Sequence, residues 1–138
     1  MNHALKYLLD TDTCIYLLNG NAKVKARVAQ AGLEAIAVGI PTVGELYFGA
    51  YNSMKVEANL SRVRAFLAPP GPGILPLDDA AVDCFGRLKT ELRRRGEPVG
   101  DLDLFLAGIA VSRGLTVVTN NTQHFERVPA IALENWTR

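Results

Sequence analysis

Short apolar runs of strand length alternate with helix-length amphipathic segments along almost the whole chain, and this alternation constrains the fold more than any other feature. Leu5–Leu9, Ala35–Ile40, Ile74–Leu77 and Leu115–Val118 read as strands, and Ile131–Leu133 as a short last one. Ala35–Ile40 is apolar throughout, as a strand covered on both faces must be. A strand, helix, strand order with short connections predicts an α/β domain with a mainly parallel central sheet and helices on both faces.

The helices are bounded by ordinary start and stop signals. Thr11 or Asp12 can cap a helix over Cys14–Leu18, which Asn19-Gly20-Asn21 stops. Ala22–Ala31 is closed by Gly32, and Pro41 opens a helix through Tyr51. Lys55–Leu67 places Val56, Leu60, Val63 and Leu67 at helical spacing. Residues 69–73 (PPGPG) form a rigid break rather than an interdomain linker. Asp78 or Asp79 caps the next helix, which runs to Arg95 and ends at Gly96. Gly100–Arg113 follows, with Asp101 as its expected cap and Gly114 after it.

The chain has 138 residues, enough for one domain with its own core, so a single domain over 1–138 is expected. Hydrophobic residues make up 49%, which excludes a disordered chain. The formal net charge is +1, so any nucleic acid must be engaged by a local patch or through a bound cation. Cys14 and Cys84 lie in apolar segments, and no Cys/His cluster exists, so buried free thiols in a reducing cytoplasm are expected. With His3 near the start and His124 the other histidine, a catalytic cysteine is disfavoured. No apolar run reaches membrane-spanning length, and no secretory signal pattern opens the chain.

In open parallel sheets, sites form at the carboxyl ends of the strands. Asp10 directly follows the first strand, and Asn121 follows Leu115–Val118. Glu45 lies one helical turn beyond Ile40, and Asp103 lies in the first turn of its helix. Structural roles compete at each position. Asp10 could end its strand in an Asx turn. Thr42 to Glu45 matches a capping box, which for Glu45 alone is the favoured reading. Asp101 and Asp103 could both complement a helix dipole, and for Asp101 that role is preferred. Asp103 precedes the apolar run Leu104–Ala110, so its helix is expected to be buried, where a carboxylate is costly unless paired or metal-bound.

Taken together, carboxylates converging without Lys or Arg among them would repel one another. Mg²⁺ or Mn²⁺ relieves such repulsion, because hard cations take carboxylate, carbonyl and water oxygens. The lack of a Cys/His set argues against zinc. Such a cation would acidify water and neutralise charge on a phosphate. Arg93, Arg94 and Arg95 end a helix, where cations complement the dipole; phosphate contact is a secondary reading. Arg62 and Arg64 lie on a charged helix face and are expected to meet water. Tyr47, Phe48 and Tyr51 are read as core or partner interface rather than a base-stacking platform.

The residues also carry a family resemblance. Tyr7 to Leu17 (YLLDTDTCIYL) resembles the opening of PIN-domain proteins, VapC toxins in particular. Thr42 to Ala50 (TVGELYFGA), Pro98 to Gly108 (PVGDLDLFLAG) and Gly114 to Phe125 (GLTVVTNNTQHF) resemble the later motifs in order, and Val128 through Trp136 resembles the family's ending. The resemblance implies a three-layer α/β/α PIN-like domain. It implies a Mg²⁺- or Mn²⁺-dependent endoribonuclease, the toxin of a toxin–antitoxin pair, held inactive by a VapB-type antitoxin. By position, Asp10 and Asp103 would be the main metal ligands, and Glu45 would bind directly or through water. Asn121 falls where many PIN domains carry a fourth aspartate, which removes one charge and weakens a second metal site. Asp12 replaces an asparagine common in these toxins, and Asp101 adds a carboxylate near Asp103; either could compensate. An RNA substrate such as tRNA, a homodimer, and operator DNA bound only through the antitoxin are further implications.

Two other readings use the same residues. Residues 8–13 (LLDTDT) also fit an aspartate-nucleophile phosphatase of the haloacid-dehalogenase type, with Asp10 attacking phosphorus and Asp12 as acid/base; it needs a suitably placed lysine and a later acidic pair after a strand, whereas Lys89 reads as mid-helix and Asp101 and Asp103 precede a helix. A catalytically inactive interaction subunit is the non-enzymatic alternative.

Overall fold

A computed structural model describes residues 5–138; His3 lies outside the described residues. Strand β1 (Tyr7–Leu9) leads into α1 (Thr11–Leu18) and α2 (Ala22–Ala31). A 3₁₀ turn (Leu33–Ala35) precedes β2 (Ile36–Gly39), followed by α3 (Ile40–Tyr51) and α4 (Val56–Leu67). Next come β3 (Gly73–Leu75), α5 (Asp79–Arg94) and α6 (Asp101–Arg113). The chain then forms β4 (Thr116–Val118), a single helical turn α7 (Thr122–Phe125) and β5 (Ala132–Glu134).

The five strands form one sheet in the order β3-β2-β1-β4-β5, and every pairing is parallel. Strand β1 is therefore central, between β2 and β4: the chain winds outward from it through β2 to β3, then crosses to its other side for β4 and β5. This is the topological switch point, where a crevice opens outside the carboxyl ends of the strands.

Side chains alternate across the sheet as the pleat requires. Leu8, Ala37 and Val117 point to the layer of α5 and α6, where Leu88, Leu92, Leu104 and Ile109 complete one core. Leu9, Val38 and Val118 point the other way, against Cys14, Leu46, Leu60 and Val63 of α1, α3 and α4. The expected three-layer architecture is thus realised, and both cysteines are buried and free. Helices α5 and α6 cross at Gly108, where a Cβ would lie 2.5 Å from the Ala81 carbonyl oxygen. The last strand is fastened by Trp136, whose Nε1 donates to Glu134 Oε1 at 2.9 Å and whose ring meets Tyr7 edge-on. Among the described residues, no helix is long and apolar enough to cross a membrane.

Three capping expectations fail; for α1 and α3 the reason is that each helix begins directly where its strand ends. Helix α1 starts at Thr11 and is capped by Asp10, not by Thr11 or Asp12. Helix α3 starts at Ile40, a turn earlier than a capping box at Thr42 would need, so no such box forms. Helix α6 is preceded by Gly100, and Asp101 makes no cap; its carboxylate pairs with Lys89 at 2.9 Å. Asp78 does cap α5, accepting from the Ala81 amide at 2.9 Å. Arg62 does not simply face water, since its guanidinium donates to the Leu18 carbonyl and to Asn19 at the end of α1.

Candidate functional site

The site is built on the switch point. The Asp10 amide donates to the Val118 carbonyl at 3.0 Å, so Asp10 follows β1 without leaving the sheet. Its carboxylate accepts from the Thr13 amide at 2.8 Å, and the Thr13 hydroxyl donates to the same Val118 carbonyl at 3.0 Å. The carboxyl is only 6% exposed. Burial pushes its pKa above the ordinary aspartate value; hydrogen bonds from Thr119 and Thr13 oppose this, and the nearby Asp12 charge adds to it. The balance matters because a buried carboxylate gains most from a cation placed beside it.

Glu45 projects from the second turn of α3 and is half-buried. The Thr11 hydroxyl donates to its Oε1 at 2.5 Å, a short, charge-assisted contact. The Thr42 hydroxyl, fully buried, lies 3.4 Å from that of Thr11. One threonine thus ties the residue beside Asp10 to the carboxylate of another helix.

Asp103 stands in the first turn of α6, and His124 Nδ1 lies 3.6 Å from its Oδ2. Asn121 begins α7 and is exposed; its amide donates to the Thr119 hydroxyl at 2.9 Å. Next to it, Asn120 Oδ1 is buried without a hydrogen-bond partner. An unsatisfied buried oxygen calls for a donor or a cation.

All four expected residues lie at the carboxyl edge of the sheet. Asp10 accepts from Thr13 and Glu45 from Thr11, the residue next to Asp10, while Asp103 stands with His124 and Asn121 adjoins Thr119. Among the described residues, no three Asp, Glu, His or Cys side chains close on a common point as a metal cage. The donor chemistry still fits a hard cation: carboxylate and amide oxygens, one carboxylate buried, one amide oxygen unsatisfied.

Sequence reasoning missed Thr11, Thr42, Thr119 and His124 as site residues. The signal for the threonines was their position just past apolar strands, where a buried hydroxyl must find an acceptor. Nothing local ties His124 to Asp103. Lys89 lies within α5, and Asp101 and Asp103 open α6 rather than follow a strand, so the phosphatase alternative lacks the placement it needs. Beside Glu45 opens an apolar cleft of about 200 Å³ between α1, α3 and α4, with Ile15, Leu46 and Val63 in its wall.

The PIN domain family model matches residues 7–131. A tRNA(fMet)-specific endonuclease VapC from Salmonella typhimurium is 38% identical over 132 residues, covering 96% of this chain and 98% of that protein. A protein of the same description from Shigella flexneri is 39% identical, covering 96% and 99%. Among solved structures, DNA-bound VapBC from Salmonella typhimurium matches with a TM-score of 0.90 at 38% identity, over 96% of this chain and 98% of that one. VapBC2 from Rickettsia felis, bound to a promoter DNA fragment, matches with a TM-score of 0.87 at 31% identity, over 96% and 99%. The acidic switch-point edge and these likenesses lead to one conclusion: the chain belongs to the PIN-domain family and, within it, to the VapC type.

Proposed function

We propose that this protein is the toxin of a type II toxin–antitoxin pair, an endoribonuclease that uses Mg²⁺ or Mn²⁺ and is silenced by a VapB-type antitoxin. The observation that carries the reading is a buried carboxylate at the switch point, Asp10, whose chain neighbour Thr11 holds a second carboxylate, Glu45, by a hydrogen bond. The names of the relatives support ribonuclease activity, and the solved VapBC assemblies support the antitoxin partner. A structured RNA such as tRNA is the proposed substrate, following the Salmonella and Shigella relatives. A homodimer, and operator DNA contacted only through the antitoxin, complete the proposal.

Asp10 and Asp103 would hold the cation, with Glu45 binding it directly or through water. When bound, such a cation acidifies water and offsets charge on the phosphate. The protein's own groups do the rest. Thr11 holds Glu45 in the orientation from which it can position or deprotonate the attacking water. Thr119 and Thr13 keep the Asp10 carboxylate aimed. Asn121 offers a neutral amide to that water or to substrate. With a neutral residue there, one cation is fully provided for, and a second needs a substrate phosphate to complete it.

The test is cleavage of total RNA by purified protein with Mg²⁺ or Mn²⁺, against chelator, with Asp10→Asn and Asp103→Asn alongside. Cation-dependent cleavage lost in both variants supports the proposal. Cleavage retained in both would overturn it, and no cleavage by any form, with no cation binding, would favour the inactive interaction subunit.

A further inference from the structure

An acidic centre attracts its cation but repels the RNA backbone, and a net charge of +1 supplies no general field to overcome that. Cations local to the edge must therefore hold the phosphates. On the Asp103 side, Lys89 is neutralised by Asp101. Among the described residues, Arg93 and Arg127 form no ion pair. Arg127 lines a hollow of about 110 Å³ together with Pro98, Gly100 and His124. His124 also stands 3.6 Å from the Asp103 carboxylate, so the hollow and the acidic centre share a wall. Arg93 lines a second hollow, of about 180 Å³, against the same loop. Pro98 and Val99 belong to both. Arg127 Nη1 donates to the Pro98 carbonyl at 3.2 Å, which orients the guanidinium and leaves its remaining donors free. A planar fork held by one bond suits a phosphate better than a mobile ammonium does.

We propose that Arg127 and Arg93, both beside the Pro98–Gly100 loop, form a two-step phosphate track that leads the RNA backbone to Asp103. The proposal rests on the ribonuclease reading. Arg127 contacts the phosphate next to the cleaved bond, and Arg93 contacts one further along the strand. Lys6 provides the reference, because it is an exposed cation at the start of β1, on the opposite edge of the sheet, with no ion pair among the described residues.

The experiment measures binding of a labelled single-stranded RNA to the Asp10→Asn protein over a range of salt, alone and with Arg127→Ala, Arg127→Lys, Arg93→Ala or Lys6→Ala added. Each arginine-to-alanine change should weaken binding about three- to tenfold and lower the slope of log K against log salt by about 0.7. Arg127→Lys should keep the slope while losing part of the affinity, and Lys6→Ala should change neither. In the active protein, Arg127→Ala should raise KM with kcat kept within about twofold. Unchanged affinity and slope in both arginine-to-alanine variants would overturn the track, as would an equal loss in Lys6→Ala. Should Arg127→Ala fail to fold, Arg93→Ala and Arg127→Lys decide the matter. Failure of the ribonuclease reading shows separately, as wild-type protein that cleaves no RNA.

Discussion

The Thr11 hydroxyl lies 2.5 Å from Glu45 Oε1, so the first residue of α1 holds a carboxylate that belongs to α3. Groups that hydrogen-bond metal ligands fix ligand direction, and removing them costs about 10- to 100-fold in metal affinity or activity. Thr11→Val, which keeps the shape and deletes the donor, should lower kcat about tenfold and weaken Mn²⁺ binding, with the melting temperature little changed. Mn²⁺ titration followed by electron paramagnetic resonance, beside a cleavage assay, checks this.

Asp10→Asn should cut cleavage at least about 100-fold without unfolding the protein, because asparagine is as good a helix cap as aspartate. Asp10→Ala should lose the same activity and also about 1 kcal/mol of stability, since the Thr13 amide loses its acceptor. Urea unfolding of the two variants separates the roles.

The raised pKa of Asp10 gives stability a definite pH dependence. The folded state holds this proton more tightly than the unfolded chain does. The contribution is therefore fully present below the ordinary aspartate value and is lost as pH rises through the folded pKa. In chelator, wild-type protein should lose stability over that interval relative to Asp10→Asn. Added Mg²⁺ or Mn²⁺ should reverse the loss for wild type only. Unfolding curves against pH, with and without cation, read both effects; parallel profiles for the two proteins would contradict them.

Asn121→Asp restores a fourth carboxylate at the edge of β4. It should raise Mn²⁺ affinity or add a second bound ion, measured as stoichiometry by calorimetry. No change in either would place Asn121 away from the cation.

Gly108→Ala tests the packing beneath Asp103. Its Cβ would meet the Ala81 carbonyl oxygen at 2.5 Å, so α5 and α6 must separate. A loss of about 1–3 kcal/mol in unfolding free energy is expected, with α6 displaced and activity reduced in step.

Much of this was legible in the residues. Runs of Leu and Val without polar interruption fit only a sheet covered on both faces, and Asp10 stands out because it ends such a run. Other details were hidden for stated reasons. DTDT offers four residues able to cap α1, and the choice falls to Asp10 because the Val118 carbonyl takes both its amide and the Thr13 hydroxyl. Ile40 reads as strand because it is apolar, yet it is 45% exposed as the first residue of α3. Helix α7 is a single turn, too short for periodicity to reveal. The approach of His124 to Asp103 depends on how α6 and α7 meet, which no local pattern encodes.

The central position of β1 has a consequence for biosynthesis. Its register with β4 pairs Tyr7 with Thr116 and Leu9 with Val118, so β1 waits for a strand that is translated much later. Until Val118 emerges, Asp10 has no carbonyl to fix its amide, and Asp103 and Asn121 have no edge to join. A ribosome-bound or prematurely terminated chain therefore carries the acidic residues without the centre. The acidic edge is assembled only once β4 has been made and has paired with β1.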